Sequence, residues 1–233
     1  MYGTSGNYYY DEHDAKRDEY LKRQAEVMGN KVMLLFKLTI FSIVMVLASI
    51  VVMLFIAVYT VMYGGSEQIV LYVVWGVAIL AFIINLLYGG VVISMKEFDG
   101  KYLTSGILYI FGESLSLAKE VLGEIESLSM LAGLASLASS VVLLISLFFF
   151  VNAIKDDVAP FNSYLSGSWE GFKKMNIAMV VIVVIGVVLA FIIPALGGIA
   201  IFMGSLLALI ISIWQIVLLY KTGKSMLAFK EGF

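Results

Sequence analysis

Residues 102–128 read YLTSGILYIFGESLSLAKEVLGEIESL, and the interpretation of this stretch decides the architecture of the chain. Its apolar residues recur at intervals of three and four, at Leu103, Ile107, Ile110, Phe111, Leu115, Ala118, Leu122, Ile125 and Leu128. This spacing predicts an amphipathic helix. Only residues 102–118 are apolar enough to enter a bilayer, and their number is close to the minimum of about 17 for a crossing. The stretch therefore either crosses a lipid bilayer or lies flat on it.

The composition of the whole chain is that of a membrane protein. Of its 233 residues, 61% are hydrophobic and 14% are charged, and the mean hydropathy is +1.00. A soluble domain has about half apolar and about a quarter charged residues. We predict an all-α fold, a polytopic transmembrane helical bundle with six spans, or five if residues 102–128 are interfacial. The predicted spans are 34–62, 69–95, 102–118, 130–154, 175–193 and 199–220.

Polar segments flank and connect these spans. Residues 1–31 are predicted to form a Tyr-rich tail with a short charged helix, residues 32–220 the transmembrane domain, and residues 221–233 a short C-terminal tail. The helix is supported by acids that stand four residues before a base. These pairs are Glu12/Lys16, Asp18/Lys22 and Glu19/Arg23. Residues 155–174 are predicted as a polar connection, and Pro194 with the glycines after it predicts a break between the last two spans.

The distribution of basic residues favours six spans. Lys and Arg near helix ends favour the cytoplasmic side of a membrane. If residues 102–118 cross, only Lys119 falls on one side, and the other thirteen of the 15 basic residues, with Lys37 set aside, fall on the other. If they do not cross, the split is eight against six. We therefore predict a multi-pass protein of the cell membrane with both termini in the cytoplasm.

The first and last hairpins resemble each other. Phe36-Lys37 and Phe172-Lys173 each precede a Val/Ile run, and each run ends near a pair of glycines, at 64–65 and 197–198. The hairpins also close alike, with INLLY at 84–88 and IVLLY at 216–220. These matches predict a parallel repeat, which requires an even number of crossings between the copies. The alternative is shared composition, because any two apolar hairpins are rich in Val, Ile and Gly.

Small residues at every fourth position predict faces where helices pack. In lipid, the hydrophobic effect does not drive helices together. They associate instead through close van der Waals contact, which small side chains permit. One such ridge consists of Ala200, Gly204, Ala208 and Ser212. A shorter one consists of Ala132, Ser136 and Ser140. Whether each ridge contacts the same chain or a second subunit stays open at this point.

Several kinds of chemistry are excluded or not expected. The chain has no cysteine, and its single histidine, His13, lies in the tail. Thiolate sites, intramembrane haem or copper ligation by histidine, and histidine-based protease chemistry are therefore excluded. Asp99, Asp156 and Asp157 lie at helix ends, so an intramembrane aspartyl pair is not expected, although Asp156-Asp157 could bind a cation. With a net charge of -2 and no dense basic cluster, we expect no nucleic acid partner. Because the residue types described above are missing, we also expect no cofactor, no metal and no catalysis.

Glu113 is the one acid that the six-span interpretation places near the middle of the membrane. An ionisable residue there is costly and indicates a functional site. Thr104, Tyr109 and Ser116 lie nearby on the same predicted helix, and the four residues form a candidate intramembrane polar site. The alternative is an interfacial helix on which Glu113 is simply hydrated. Asn85 is predicted to form a hydrogen bond between helices.

These features favour a non-catalytic membrane scaffold or an accessory subunit of a membrane complex. The tail and its charged helix would dock a protein partner, or a second copy of the chain. The rival hypothesis is a small transporter or channel with a polar path near Glu113. A lipid-modifying enzyme ranks third, because no acid/base pair or nucleophile is evident. The Val/Ile/Gly-rich, cysteine-free composition is typical of a prokaryotic membrane protein.

Overall fold

The structure is a computed structural model that describes residues 5–63 and 67–231. Within these ranges every regular element is helical. The six long helices are α1 (Ser5–Tyr63), α2 (Glu67–Ser94), α3 (Gly100–Gly123), α4 (Ser129–Val158), α5 (Ser163–Ile192) and α6 (Pro194–Glu231). Short 3-10 turns at Met95–Glu97 and Glu126–Leu128 precede α3 and α4. Gly64 and Gly65 of the predicted repeat, residues 1–4 and residues 232–233 lie outside the described residues.

Five of the described helices are long and apolar enough to cross a membrane. Their candidate spans are Ala15–Thr60, Leu71–Glu97, Glu126–Val158, Ser163–Ile192 and Ala195–Glu231. Large apolar side chains on them are open to the surroundings, with Phe55 74% and Phe191 88% exposed. Lipid, rather than water, is the solvent that such a surface requires. The prediction of an all-helical fold with several helices able to cross a membrane is confirmed, while the sixth span and the repeat stay predictions.

Four helices, α1, α4, α5 and α6, continue beyond their apolar parts into polar sequence. The 59-residue helix α1 includes both the charged segment and the first apolar segment. α4 runs to Val158 and α5 begins at Ser163, so most of the polar connection predicted at 155–174 is helical. Asn162 starts α5 as an N-cap, because its side chain accepts a hydrogen bond from the Leu165 backbone N–H at 3.1 Å.

The chain divides into two compact units. The first comprises residues 1–34 and 158–233, and the second comprises residues 35–157, so the division falls within α1. In the first unit the start of α1 packs on the end of α6. A Cβ added at Gly29 would lie 3.1 Å from Leu227, and one added at Gly223 would lie 2.6 Å from Met33. These two glycines therefore allow the helices to approach closely.

α5 and α6 form a hairpin in the first unit. Trp169 is fully buried, and its indole N–H donates to the Thr222 hydroxyl at 3.0 Å. The rings of Trp169, Phe172 and Trp214 meet edge to face, with centroids 5.6 and 6.0 Å apart. The hairpin turns at Ile193 and Pro194, where the predicted break lies. A proline at the start of α6 costs no hydrogen bond, because the first N–H of a helix has no partner within the helix.

In the second unit α3 packs against both α2 and α4. Gly89 and Gly106 bring α2 and α3 together, since added Cβ atoms would lie 2.5 Å from Ile110 and Ile93 respectively. Gly112 does the same for α4, because its added Cβ would lie 2.7 Å from Leu143. These glycines allow α3 to lie between its two neighbours.

Candidate functional site

A polar cluster joins α2 to α3, and we call Asn85, Tyr109 and Glu113 the Asn85 cluster. The Asn85 side-chain amide donates to Glu113 Oε2 at 2.7 Å. The Tyr109 hydroxyl donates to Asn85 Oδ1 at 3.3 Å. The ring of Tyr88 packs on the ring of Tyr109, with centroids 5.1 Å apart. Asn85 therefore uses both ends of its amide, one on each predicted site residue, and it forms the interhelical hydrogen bond expected of it.

The packing of α2 on α3 sets this geometry. The helices run antiparallel, since Ile93 meets Gly106 and Gly89 meets Ile110. Each step of about four residues back along α2 is matched by a similar step forward along α3. The next step brings Asn85 opposite Glu113. The glycine contacts thus determine which polar groups can meet.

The other two predicted site residues do not join the cluster. Thr104 is exposed, and Ser116 is half-buried. Nine residues separate Thr104 from Glu113, which places the two on opposite sides of a helix with 3.6 residues per turn. Within the described chain, Ser116 takes no part in the hydrogen bonds of the cluster. The structure therefore brings together Glu113 and Tyr109 of the four candidates.

A second line of hydrogen bonds, which was not predicted from the sequence, joins α3 to α4. The Ser105 hydroxyl donates to the Ser146 carbonyl oxygen at 2.9 Å, and the Ser146 hydroxyl donates to the Ser105 carbonyl oxygen at 2.8 Å. The Ser139 hydroxyl donates to the Gly112 carbonyl oxygen at 2.9 Å. The seven-residue spacing in both pairs, 105 with 112 and 139 with 146, repeats about every two helical turns and is the signal that could have revealed this line.

A hollow of about 330 Å³ opens between α1, α2 and α3 in the second unit. Its wall includes Trp75 and Ala78 from α2, Glu120 from α3, and Glu124, the residue that follows α3. Glu113, Glu120 and Glu124 are seven and four residues apart, so they lie on one face of α3. This face therefore carries acids from the Asn85 cluster to the far end of the helix.

The ridge on α6 lies partly against α5. A Cβ added at Gly204 would lie 2.6 Å from Val183, and one added at Gly186 would lie 3.0 Å from Ala200. Ala208 is half-buried, and Ser212 is exposed with its hydroxyl donating to the Ala208 carbonyl oxygen. The part of the ridge nearest the hairpin turn thus meets the same chain. In the shorter ridge on α4, Ala132 is buried and Ser140 is exposed.

Charged groups cluster where α3 begins and where α4 continues beyond its apolar part, after residue 154 and outside the predicted span 130–154. The Lys101 ammonium pairs with Asp99 at 3.0 Å and with Asp156 at 2.9 Å. The hydrogen bond from Lys101 lowers the pKa of Asp156 below its usual value. Burial instead raises the pKa of Asp157 to about 6. The fully buried Tyr102 hydroxyl faces this carboxylate and lowers the pKa of Asp157 by less than burial raises it.

We expect the Asp157→Asn variant to be more stable than the natural chain at pH 7.5 and equally stable at pH 4. The folded pKa of about 6 is above the usual 3.8, so Asp157 makes stability fall as pH rises from about 4 to about 6. After discounting for solvent screening, we expect a gain of about 1–2 kcal/mol at pH 7.5. Thermal unfolding in detergent across pH 4–8 measures it.

The matched control is Asp156→Asn, one residue earlier. The pKa of Asp156 is lowered, so its contribution is present above the unfolded value and is lost as pH falls. This variant should lose about 0.5 kcal/mol or less at pH 7.5, because the ion pair with Lys101 is exposed. A similar pH profile for the Asp157→Asn variant and the natural chain would contradict the assignment.

The fold and the site define the class: a multi-pass helical membrane protein with a polar cluster between two of its helices. Among the described residues, no three His, Asp or Glu side chains are placed to hold a metal ion. Comparisons with protein families, with curated proteins and with solved structures find no match to this chain. Function must therefore be argued from the residues themselves.

Proposed function

We propose that this protein is a non-catalytic scaffold or accessory subunit of a membrane complex. It docks a protein partner through the charged segment of α1, residues 15–24, which we call the docking segment. One observation supports this most directly. No residue from 15 to 24 is buried, whereas Ala25, Met28 and Gly29 all are. The Glu26 carboxylate also accepts a hydrogen bond from Lys230 at 2.6 Å. Thus α6 anchors the part of α1 that follows the charged segment, while the charged segment itself stays exposed.

The polar groups of the second unit agree with a scaffold. The Asn85 cluster and the serines of α3 and α4 direct their hydrogen bonds to one another or to backbone carbonyls. Such bonds hold helices together in lipid, where each is worth roughly 0.6–2 kcal/mol. These groups serve the rigidity of the bundle rather than the binding of a substrate.

Photo-crosslinking tests the docking segment. A benzophenone amino acid at Tyr20, which is 61% exposed, should give one discrete cross-linked species in membranes. Charge reversal with Arg17→Glu and Arg23→Glu should abolish it, because both side chains are exposed on this segment. Lys96→Glu with Lys174→Glu is the control of equal charge. A species of twice the chain mass would identify a homo-oligomer, and isolated monomers alone in mild detergent would contradict the proposal.

We also propose six spans, with both termini in the cytoplasm of a cell membrane. α3 is too polar to count among the five apolar helices, but it packs between α2 and α4, which are two of them. Its 24 residues extend about 36 Å, which exceeds a hydrocarbon core of about 30 Å. Asn85 and Ser139, from the neighbouring helices, supply its polar groups with partners away from lipid.

Cysteine labelling tests this topology directly, because the chain has no cysteine of its own. Lys96→Cys and Glu126→Cys introduce single thiols at exposed positions before and after α3. With an impermeant maleimide on intact cells, we expect only the cysteine at 126 to react. The cysteine at 96 should react after permeabilisation. If both thiols react from the same side, α3 does not cross.

A polar path is the second candidate function, and the hollow beside α3 favours it. Glu120 and Glu124 line that hollow on the face that also carries Glu113. A cation or proton could enter at these acids and reach Glu113 within the membrane. Flux in proteoliposomes should then fall at least tenfold with Glu113→Gln. Glu126→Gln is the control. Flux that is unchanged by Glu113→Gln would remove this candidate.

A further inference from the structure

A second hollow, of about 320 Å³, lies in the first unit between the start of α5 and the end of α6. Several of the residues that line it have polar side chains, with Asn162 and Tyr164 at the start of α5, and Lys221, Lys224 and Ser225 from α6. Lys221 and Lys224 are three residues apart, so they share one face of α6. None of the described residues that line the hollow is acidic.

The two lysines give this hollow an uncompensated positive charge. Both are exposed, and neither ammonium has an ion-pair partner within the described chain. Lys173 and Lys230 differ, since they pair with Glu170 at 2.9 Å and with Glu26 at 2.6 Å. The Lys224 ammonium lies 5.9 Å from the centre of the Tyr220 ring, which stabilises the cation without neutralising it. The charge therefore selects an anion.

Neutral hydrogen-bonding groups also line the hollow. The Asn162 side-chain amide donates to the Ser225 hydroxyl oxygen at 3.1 Å, while its oxygen caps α5. Ser225 accepts this bond and keeps its own hydroxyl hydrogen to donate. The positive end of the 30-residue helix α5 adds to the attraction. A phosphate group, with several acceptor oxygens, matches two ammonium groups and a hydroxyl better than a carboxylate does.

The position of the hollow favours a lipid headgroup as the source of a phosphate group. The apolar part of α6 ends at Tyr220, one residue before Lys221. Lysines at this level reach lipid headgroups with their flexible side chains. Tyr164 is 77% exposed beside them, and tyrosine is enriched at the headgroup level. We infer that this hollow binds the phosphate of an anionic phospholipid headgroup, which is a site separate from the docking segment of α1.

Lipid binding to the full chain in detergent micelles, followed by native mass spectrometry, tests the inference. The probe is phosphatidylglycerol, with phosphatidylcholine as the neutral lipid. We expect Lys221→Gln with Lys224→Gln to weaken the binding of phosphatidylglycerol about 30-fold at low ionic strength, since each lysine near the headgroups contributes about fivefold. Binding of phosphatidylcholine should not change.

Three further measurements make the result specific. Lys96→Gln with Lys174→Gln removes the same charge elsewhere and should leave affinity unchanged. Lys221→Arg with Lys224→Arg keeps the charge and should stay within about threefold of the natural chain. Inorganic phosphate at 10 mM should not displace the lipid, and displacement would assign the site to a soluble phosphate instead. Equal affinity of the natural chain and the double glutamine variant would overturn the site.

Discussion

Replacing Gly106 by valine is expected to lower the melting temperature of the detergent-solubilised protein by roughly 10 °C. A Cβ added at Gly106 would lie 2.9 Å from the Gly89 carbonyl oxygen and 2.9 Å from the Ile93 backbone nitrogen. Backbone atoms cannot rotate away as a side chain can, so α2 and α3 must separate. Overpacking of this kind costs about 3 kcal/mol, which in a chain of this size corresponds to roughly 6–12 °C.

The control for this prediction is Gly90→Val. Nothing lies within 4 Å of a Cβ added at Gly90, so the same substitution meets open space there. Both variants replace a helical glycine by a β-branched residue, so they have the same effect on helix propensity. We expect Gly90→Val to stay within about 2 °C of the natural chain. Equal melting temperatures for both variants would show that α2 and α3 do not pack closely at Gly106.

The helices were predictable from the sequence, but their contacts were not. The intervals of three and four in residues 102–128 predicted α3, and the apolar segments predicted the other helices. Glu113 stood out because it is the one acid in an apolar context. The sequence also predicted that Asn85 forms a hydrogen bond to another helix. It could not identify Glu113 as the acceptor, because that pairing depends on the register that Gly89 and Gly106 set.

Two features of the structure have no signal in the local sequence pattern. Thr104 and Glu113 are both polar and close in sequence, yet a separation of nine residues places them on opposite sides of a helix. The C-terminal segment after Tyr220 reads as a polar tail because of its lysines. In the structure it continues α6 to Glu231, since Met226 is buried and Leu227 packs against Gly29 of α1. Such long-range burial leaves no signal in local composition.

The second large effect is expected at the Asn85 cluster. Asn85→Leu should lower the free energy of unfolding by about 2–3 kcal/mol, because Glu113 then keeps a carboxyl group in the bundle without its donor. Glu113→Gln can still accept the hydrogen bond from Asn85 and should cost about 0.5 kcal/mol or less. Unfolding in mixed micelles with increasing dodecyl sulfate measures both changes.

A double-mutant cycle distinguishes whether Asn85 and Glu113 form a buried hydrogen-bonded pair or are two hydrated side chains. Glu113→Leu alone leaves the Asn85 amide without its acceptor, whereas Asn85→Leu with Glu113→Leu removes both partners together. The double variant should therefore be more stable than the sum of the single effects implies, by about 1–2 kcal/mol. If α3 lay at the interface, water would replace either lost partner, and the coupling would be close to zero. The sign and size of this coupling thus test the Asn85 cluster and the sixth span in one measurement.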